Sequence, residues 1–351
     1  MKSYIYTIII GLILFSAGFV VYEKSHAQKP INKSINVVSM TADEMSASLA
    51  NGTIAGFISW EPYPAKAVDE GYGRYLVNSS DIWENHPSCV LAISEDLKDE
   101  DMIRALVWAE VKGARFINNP SNREKVLKYG QEFSGLDRNE VSSAIDNTVF
   151  IEYPDVSQVK KAIDIQAKAG TFKNTMESLG YNNTDEFLSS LFVDKYYNEV
   201  SKKLNENPNW TPSPVNGSLR FGYIEGNIHY LSMYIAQKEG YFEKAGLSPG
   251  KNVQFTSYRS GRAITDALKH REVDVATLGS TVLLRYRIND NGRIRIVNGV
   301  NTGGTSLVVR AGSNISSIDD MDGLKIATPG FGTCQDTLMR KMFAGFEIKP
   351  V

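Results

Sequence analysis

Apolar and polar positions alternate in segments that predict strands and helices in turn over the first third of the chain. The short apolar runs INVVSM, TIAGFISW and GRYLVNS are separated by two amphipathic stretches of about ten residues. In the first stretch, Thr41 can cap a helix, Glu44 stands at the capping-box position and Gly52 ends the pattern. This βαβαβ order predicts parallel strands in an α/β sheet.

The middle of the chain is dominated by helical periodicity. After the apolar strand CVLAISEDL, apolar residues recur at helical spacing in five segments: residues 99–117, 121–133, 138–147, 157–169 and 184–199. Residues 205–218, NENPNWTPSPVNGS, then carry three prolines and almost no aliphatic side chain. This composition is typical of a linker.

A second α/β series occupies residues 219–351. It predicts the strands LRFGY, NVQFTSY, VDVATLG, RIVNGVN, SLVVR and LKIATPG, and the helices YLSMYIAQKEGYF, GRAITDALKHR, STVLLRYRIND and TCQDTLMRKMF. No stretch of this series repeats the first, so the two halves are complementary rather than duplicated. The chain stops in EIKPV, where the pattern predicts a turn and no further strand.

The first 28 residues have the pattern of an export signal. Lys2 precedes an apolar run from Tyr4 to Tyr22, and Ser25-His26-Ala27 resembles a signal-peptidase site. At about 18 residues, the run is also long enough to remain in a bilayer as an anchor. A buried N-terminal helix is the alternative. We expect a short linker at 29–34 and an extracytoplasmic protein, either released after Ala27 or anchored.

Composition and charge exclude several classes of function. The chain is 42% hydrophobic and 22% charged, with a formal net charge of −2, so a nucleic-acid partner is not expected. Two cysteines, Cys89 and Cys334, are too few for a disulfide scaffold, and whether they pair stays open. There is no Walker loop, no Gly-x-Ser-x-Gly elbow and no His-rich metal spacing. We therefore expect neither an enzyme nor a cofactor.

Four stretches carry a resemblance to a known family: LRFGYIEGNIHYLSMYIAQKEGYFEKAGL, VDVATLGST, LKIATPGFGT and FISWEPYPAKAVDEGYG. Together they resemble the solute-binding proteins of ABC importers in the nitrate, sulfonate and taurine group, which also includes thiamine-precursor binders. The resemblance covers residues 35–200 and 218–351. It implies a two-lobed, type II periplasmic-binding-protein-like fold, in which each lobe is a mostly parallel sheet flanked by helices. It also implies a monomer that binds a small molecule and meets an ABC permease with its ATPase.

The order of these stretches differs from that of the family. Residues 35–204 resemble the family's C-terminal part, yet they precede residues 219–351, which resemble its N-terminal part. A family member would continue from RKMFAGFEIKPV directly into a strand like INVVSM. This order predicts a circular permutation, with the old termini joined through 205–218. A gene fragment that spans the junction of a tandem pair is the alternative.

The permutation makes specific structural predictions. Strand 35–40 is expected parallel to strand 324–328 in one sheet. One lobe is expected to combine 35–88 with 318–351, and the other 95–200 with 219–311. Hinge strands are expected near 89–94 and 306–310.

Turns between strands and helices supply the candidate ligand contacts. Free N–H groups at helix N-termini bind anions, and the turns at 279–281 and 330–335 have this character. The full set of candidates is Ser280, Thr281, Thr333, Gln335, Trp60, Glu61, Asn227, His229, Asn301 and Thr302. Trp60 is expected to close over the ligand, whereas Glu61 would repel an anion and either caps a helix or meets a ligand amine. For several of these residues, a plain helix cap or Gly-rich turn is the alternative.

The expected ligand is a small anion such as a sulfonate, taurine, nitrate or bicarbonate. A thiamine-pyrimidine precursor is an alternative ligand. An enzyme on the same fold, desulfinase-like or pyrimidine-synthase-like, is an alternative function in which Cys334 and His229 serve as nucleophile and base. A permuted remnant that no longer binds a ligand is the third possibility.

Overall fold

The structure is a computed structural model that describes residues 33–351. The predicted export signal and residues 29–32 of the predicted linker lie outside the described residues. No helix within residues 33–351 is both long and apolar enough to cross a membrane.

Thirteen strands are present in the described part of the chain. They are β1 Ser34–Ser39, β2 Gly56–Trp60, β3 Gly73–Asn78, β4 Cys89–Ser94, β5 Thr148–Phe150, β6 Leu219–Ile224, β7 Val253–Tyr258, β8 Val275–Gly279, β9 Ile294–Gly299, β10 Asn301–Gly303, β11 Thr305–Arg310, β12 Lys325–Thr328 and β13 Glu347–Pro350.

The α-helices of the same residues number fourteen. They are α1 Ala42–Ala50, α2 Tyr63–Asp69, α3 Ser79–Ile82, α4 Glu100–Asn118, α5 Arg123–Ser134, α6 Arg138–Asp146, α7 Val156–Lys168, α8 Thr184–Leu191, α9 Lys195–Glu206, α10 Leu231–Lys238, α11 Tyr241–Lys244, α12 Gly261–Lys269, α13 Ser280–Asn289 and α14 Cys334–Met342. Short 3-10 turns occur at Pro120–Asn122, Glu177–Leu179, Ile228–Tyr230 and Ile318–Met321.

The first large sheet joins the two ends of the described chain. Its strand order is β13-β1-β12-β2-β11-β3, with β13, β1, β12 and β2 parallel and β11 antiparallel to both neighbours. Asn36 pairs with Lys325 and Ser39 with Thr328, so the predicted parallel pairing of these two strands is confirmed. Apolar side chains on both faces of this sheet form the core of the first lobe.

The end of the chain differs from the prediction. EIKP forms the edge strand β13, parallel to β1, and the Val351 amide donates to the Val37 carbonyl at 3.0 Å. The expectation of a turn and no further strand at EIKPV is therefore wrong, because these residues form a strand of their own beside β1. A connection from Val351 to Ser34 would have to return along the edge over about 10–13 Å.

The second sheet, which forms the centre of the second lobe, also combines strands from both halves of the sequence. Its order is β7-β6-β8-β4-β9, in which β7, β6 and β8 are parallel and β4 is antiparallel to β8 and β9. Strand β4, from the first half, therefore lies between strands of the second half. Leu91, Phe221 and Val275 are fully buried in the core that this sheet shares with α4 and α10.

Two chain crossings join the sheets. One lies between β3 and β4, and the other between β9 and β11, where β10 pairs with β5 in a two-stranded ribbon. Strand β11 belongs to the six-stranded sheet, so the boundary expected at residue 311 falls before Thr305. The reason is that β11 fills the space between β2 and β3 with hydrogen bonds on both edges.

Local sequence signals predict a helix cap correctly but miss a helix break that is caused by a contact with a strand. The Thr41–Glu44 capping box is present, with both reciprocal hydrogen bonds. The helix predicted over 184–199 is two helices, because Phe192 and Val193 leave the helical path to bond the backbone of Ile296 at the sheet edge. Helix α9 runs to Glu206, two residues into the predicted linker.

The rest of the linker has no helix or strand but is fastened to the second lobe. The Trp108 indole N–H donates to the carbonyl of Trp210 at 3.0 Å, and the Val215 amide donates to the carbonyl of Ala245 at 2.9 Å. The segment therefore has a fixed course.

Candidate functional site

A cavity of about 1360 Å³ lies between the two sheets. Loops that follow β1, β2 and β12 border it from the first lobe, and loops that follow β6, β7 and β8 border it from the second. The carboxyl ends of parallel strands thus face each other across the cavity, which is where open α/β sheets place their ligands. Residues 132–136, at the C-terminal end of α5, complete the wall.

Five of the ten predicted contacts line this cavity: Trp60, Asn227, His229, Thr333 and Gln335. The other five, Ser280, Thr281, Glu61, Asn301 and Thr302, do not border it. All five are buried. The structure shows what each side chain contacts, and these contacts separate structural residues from available ones.

Two polar groups at the N-terminus of α13 form hydrogen bonds within the protein. The Ser280 amide donates to the Ser88 carbonyl at 2.8 Å, and the Thr281 hydroxyl donates to Sγ of Cys334 at 3.0 Å. The Ser280 amide and the Thr281 hydroxyl are therefore engaged within the protein, although Gly279 and Val282 at the same end of the helix border the cavity. The hydroxyl of Ser280 is buried and has no partner within the described residues.

The loop from Gly330 to Gln335 is held by its own hydrogen bonds. Thr333 Oγ1 accepts from the Asp336 amide at 3.2 Å and donates to the Gly330 carbonyl at 2.7 Å, so it is a helix cap. The Gln335 side-chain amide donates to Thr305 Oγ1 at 3.2 Å. Gly332 has φ +78°, a conformation that favours glycine, and its amide donates to Asp336 at 2.7 Å.

Trp60 and Glu61 face different surroundings although they are adjacent. Trp60 borders the cavity, its ring meets Tyr63 edge-on at 5.8 Å, and its indole N–H has no partner in residues 33–351. Glu61 lies behind the wall, where it accepts from the Ala65 amide at 3.0 Å and from the Asn147 side chain at 2.9 Å. Burial raises the pKa of Glu61 to about 7. Of the two expected roles for Glu61, the structure has the helix cap.

His229 is fixed by the chain crossing. Its Nε2 lies 2.8 Å from the Gly304 carbonyl and must donate to it, which leaves Nδ1 as an acceptor for the thiol of Cys89 at 3.5 Å. Burial lowers the pKa of His229 to about 4, so the imidazole is neutral at pH 7. Asn227 Oδ1 accepts from the His229 amide at 3.1 Å and orients this turn.

The predicted pair of Cys334 and His229 is not formed. His229 contacts Cys89, whereas Cys334 contacts Thr281, and both thiols are free and buried. Burial raises the pKa of both thiols, which disfavours the nucleophilic thiolate. Within residues 33–351, no cluster of three or more His, Cys, Asp or Glu is placed to hold a metal ion.

Asn301 and Thr302 shape the crossing rather than the cavity. Asn301 Oδ1 accepts from the Cys89 amide at 3.2 Å, and the Thr302 hydroxyl donates to the His86 carbonyl at 2.8 Å. Their polarity is satisfied within the protein.

Sequence reasoning missed the charged and aromatic lining. The cavity is bordered by the cations Lys66, Arg259, Arg262 and Arg285, by the acids Asp43, Glu44, Glu132 and Glu225, and by the aromatic side chains Tyr63, Phe133, Tyr258 and Phe331. Arg285 and Arg287 stand two residues apart on α13. Only Arg285 borders the cavity, whereas Nη1 of Arg287 lies 3.3 Å from Oε1 of Glu95, outside the lining. No local sequence signal distinguishes Arg285 from Arg287, because they differ only in the face of the packed helix on which each side chain lies.

Comparison with known families agrees with this architecture. Residues 8–129 match the model of the NMT1-like family, and residues 227–351 match the model of the NMT1/THI5-like proteins. Together, the two matches span well over half of the chain. Two separate stretches of the chain are thus similar to NMT1-like and NMT1/THI5-like proteins. The resemblance to solute-binding proteins of the nitrate, sulfonate and taurine group is thereby confirmed.

Curated relatives share short stretches with this chain. The nitrate import ATP-binding protein NrtC of Synechocystis sp. is 28% identical over 100 residues, which are 28% of this chain and 15% of the relative. The bicarbonate transport ATP-binding protein CmpC of the same organism is 28% identical over 97 residues, 27% of this chain and 14% of the relative. The nitrate/nitrite binding protein NrtA of Synechocystis sp. is 20% identical over 98 residues, 27% of this chain and 22% of the relative. The chain thus spans less than a quarter of the length of these relatives.

Solved structures are similar at lower identity. The ligand-binding component of an ABC-type import system from Staphylococcus aureus has a TM-score of 0.31 and 9% identity, over 80% of this chain and 66% of the other. The periplasmic murein tripeptide binding protein MppA, in its unliganded open form, has a TM-score of 0.28 and 9% identity, over 77% and 51%.

Proposed function

We propose that this NMT1/THI5-like protein is an extracytoplasmic solute-binding protein of an ABC importer. The observation that carries the proposal is the cavity between two α/β lobes, bordered on both sides by the carboxyl ends of parallel strands. A ligand held there touches both lobes and stabilises their closed arrangement by its differential contacts. The protein then presents the ligand to a permease and its ATPase.

The proposed ligand is a small anion, in the range from nitrate and bicarbonate to taurine and other sulfonates. The names of NrtC, NrtA and CmpC, which refer to nitrate and bicarbonate, support this range. A thiamine-pyrimidine precursor is the second candidate. It is favoured by the aromatic lining of Trp60, Tyr63, Phe133 and Tyr258, since planar rings stack on aromatic side chains.

A thermal-shift screen of the full chain tests the proposal. Nitrate, bicarbonate, taurine and the hydroxymethylpyrimidine of thiamine are added at concentrations from 10 µM to 10 mM (about three decades, the range that separates micromolar from millimolar affinity). A ligand at about a hundredfold its dissociation constant stabilises the folded state by about 2.7 kcal/mol, which raises Tm by about 4 °C for a chain of this length. No shift with any of the four would overturn the proposed function, and turnover of a probe would replace it with an enzyme.

The permuted order of the segments is part of the proposal. Its support is the pairing of β1 with β12 and the position of Val351 beside Val37 in the same sheet. A chain that begins at Leu219 and joins Val351 to Ser34 through about six Gly and Ser residues would span the edge. It should give the same circular dichroism spectrum and the same ligand affinity. An unfolded product would reject the permutation.

A further inference from the structure

Arg285 differs from the other charged side chains of the cavity. Lys66 Nζ lies 3.8 Å from Glu70 Oε1, and Arg262 Nε lies 3.6 Å from Asp266 Oδ2. Arg259 is exposed to solvent at the rim. Arg285 is half-buried, and no carboxylate within the described residues comes within ion-pair distance of it. A sheltered cation without a counter-ion is costly unless something else neutralises it.

The guanidinium of Arg285 reaches from one lobe to the other. It leaves α13 of the second lobe, and its Nη1 donates to the Phe331 carbonyl in the loop of the first lobe at 2.8 Å. Its side chain passes over Gly332, where any Cβ would collide with Cδ, Nε and Nη1 of the arginine. Because Gly332 has no side chain, Arg285 can occupy this space between the two lobes.

Most donors of this guanidinium remain unused. The Phe331 carbonyl takes one N–H, Nε is buried without a partner, and Nη2 has no acceptor within residues 33–351. The buried Nε–H has lost its hydration without gaining a hydrogen bond in return, which is unfavourable. A planar oxoanion in the cavity would supply two acceptors at the spacing of the guanidinium fork.

The acidic side chains of the lining do not remove this charge. Glu44 is engaged in the capping box of α1, where it accepts from the Thr41 amide at 2.8 Å, and Glu132 pairs with Lys238 at 2.7 Å. Asp43 and Glu225 are exposed, where water screens them. The half-buried charge at the lobe contact is therefore positive.

We propose that Arg285 binds the anionic group of the ligand and couples that contact to lobe closure through the Phe331 carbonyl. The inference rests on the proposed function, and it selects the oxoanion over the neutral pyrimidine. Arg285 belongs to the second lobe, and the guanidinium that binds the anion also donates to the first lobe. Binding of the anion and closure of the lobes therefore stabilise each other. Arg285 is thus the residue that decides the charge of the ligand.

Isothermal titration of the full chain with nitrate, bicarbonate, taurine and the hydroxymethylpyrimidine tests this inference. For whichever oxoanion binds the parent, Arg285→Gln should weaken affinity about 10- to 100-fold, as expected for a charged hydrogen-bond pair. Arg285→Lys should recover part of the loss, because it restores the charge without the planar fork. Arg271→Gln, which removes an exposed cation that is paired with Asp96 and does not border the cavity, is the control and should change affinity less than threefold, as expected for a screened surface charge.

The outcomes separate the two proposals. Binding of an oxoanion with equal affinity by the parent and Arg285→Gln would overturn the role of Arg285 and leave the proposed function standing. Binding of the neutral pyrimidine alone would do the same. Binding of no probe by the parent would overturn both. Thermal unfolding of each variant without ligand shows that a lost affinity is not a lost fold.

Discussion

A buried carboxyl group on α4 predicts an unusual pH dependence of stability. Glu110 is 1% exposed, and the hydroxyl of Ser232 on α10 donates to its Oε1. Its Oε2 has no partner, and no cation within the described residues pairs with it. Burial raises the pKa of Glu110 from its ordinary 4.5 to about 7 in the folded state.

The direction of the effect follows from this difference. Below pH 4.5 the carboxyl is protonated in both the folded and the unfolded chain, so it carries no penalty. As pH rises through 7, the unfolded chain ionises freely while the folded chain must bury a charge. The free energy of unfolding therefore falls over this window, by about 3 kcal/mol at pH 8 from this one group.

Glu110→Gln isolates the contribution. The glutamine has the shape of the protonated acid and can still accept from the Ser232 hydroxyl. We expect the variant to be within about 1 kcal/mol of the parent at pH 5 and about 2–3 kcal/mol more stable at pH 8. Urea unfolding at both pH values measures the two differences. Because other titrating groups are common to both proteins, they cancel in the comparison.

An exposed glutamate supplies the control. Glu243→Gln on α11 should change stability by less than about 0.5 kcal/mol at either pH. If Glu110→Gln shifts stability equally at pH 5 and pH 8, the carboxyl does not change its charge in that window and the reasoning is wrong.

Three further expectations concern close contacts and thiols. Gly113→Ala should destabilise the protein by about 2 kcal/mol or more in urea unfolding, because its Cβ would collide with the Ser232 carbonyl; an unchanged midpoint would show that α4 and α10 can separate at little cost. Thr333→Val should lower stability without ligand by about 1 kcal/mol, since its hydroxyl caps α14, and equal melting temperatures of variant and parent would contradict the cap. Cys89 and Cys334 should react with iodoacetamide at pH 8 much more slowly in the folded protein than in 6 M guanidinium (well above a typical unfolding midpoint), as mass spectrometry can follow; fast labelling of the folded protein would mean that the thiols are accessible.

The sequence by itself determined most of the local structure. Apolar periodicity placed the main strands and helices, because burial of one face demands that spacing in any fold. The capping box of Thr41 and Glu44 was readable because it lies within four residues of chain. The parallel pairing of β1 with β12 was also foreseen, but only through the family resemblance, since no local pattern specifies a partner nearly three hundred residues away.

Tertiary packing decided which polar groups face the cavity. Ser280 and Thr281 had the signature of an anion site, yet Ser88 and Cys334 from distant segments fill it. Arg285 carried no signature, because its importance comes from a helix face and from a glycine in the other lobe. Whether a donor is free depends on every segment that packs against it, and that information is spread over the whole chain rather than over any one stretch of it.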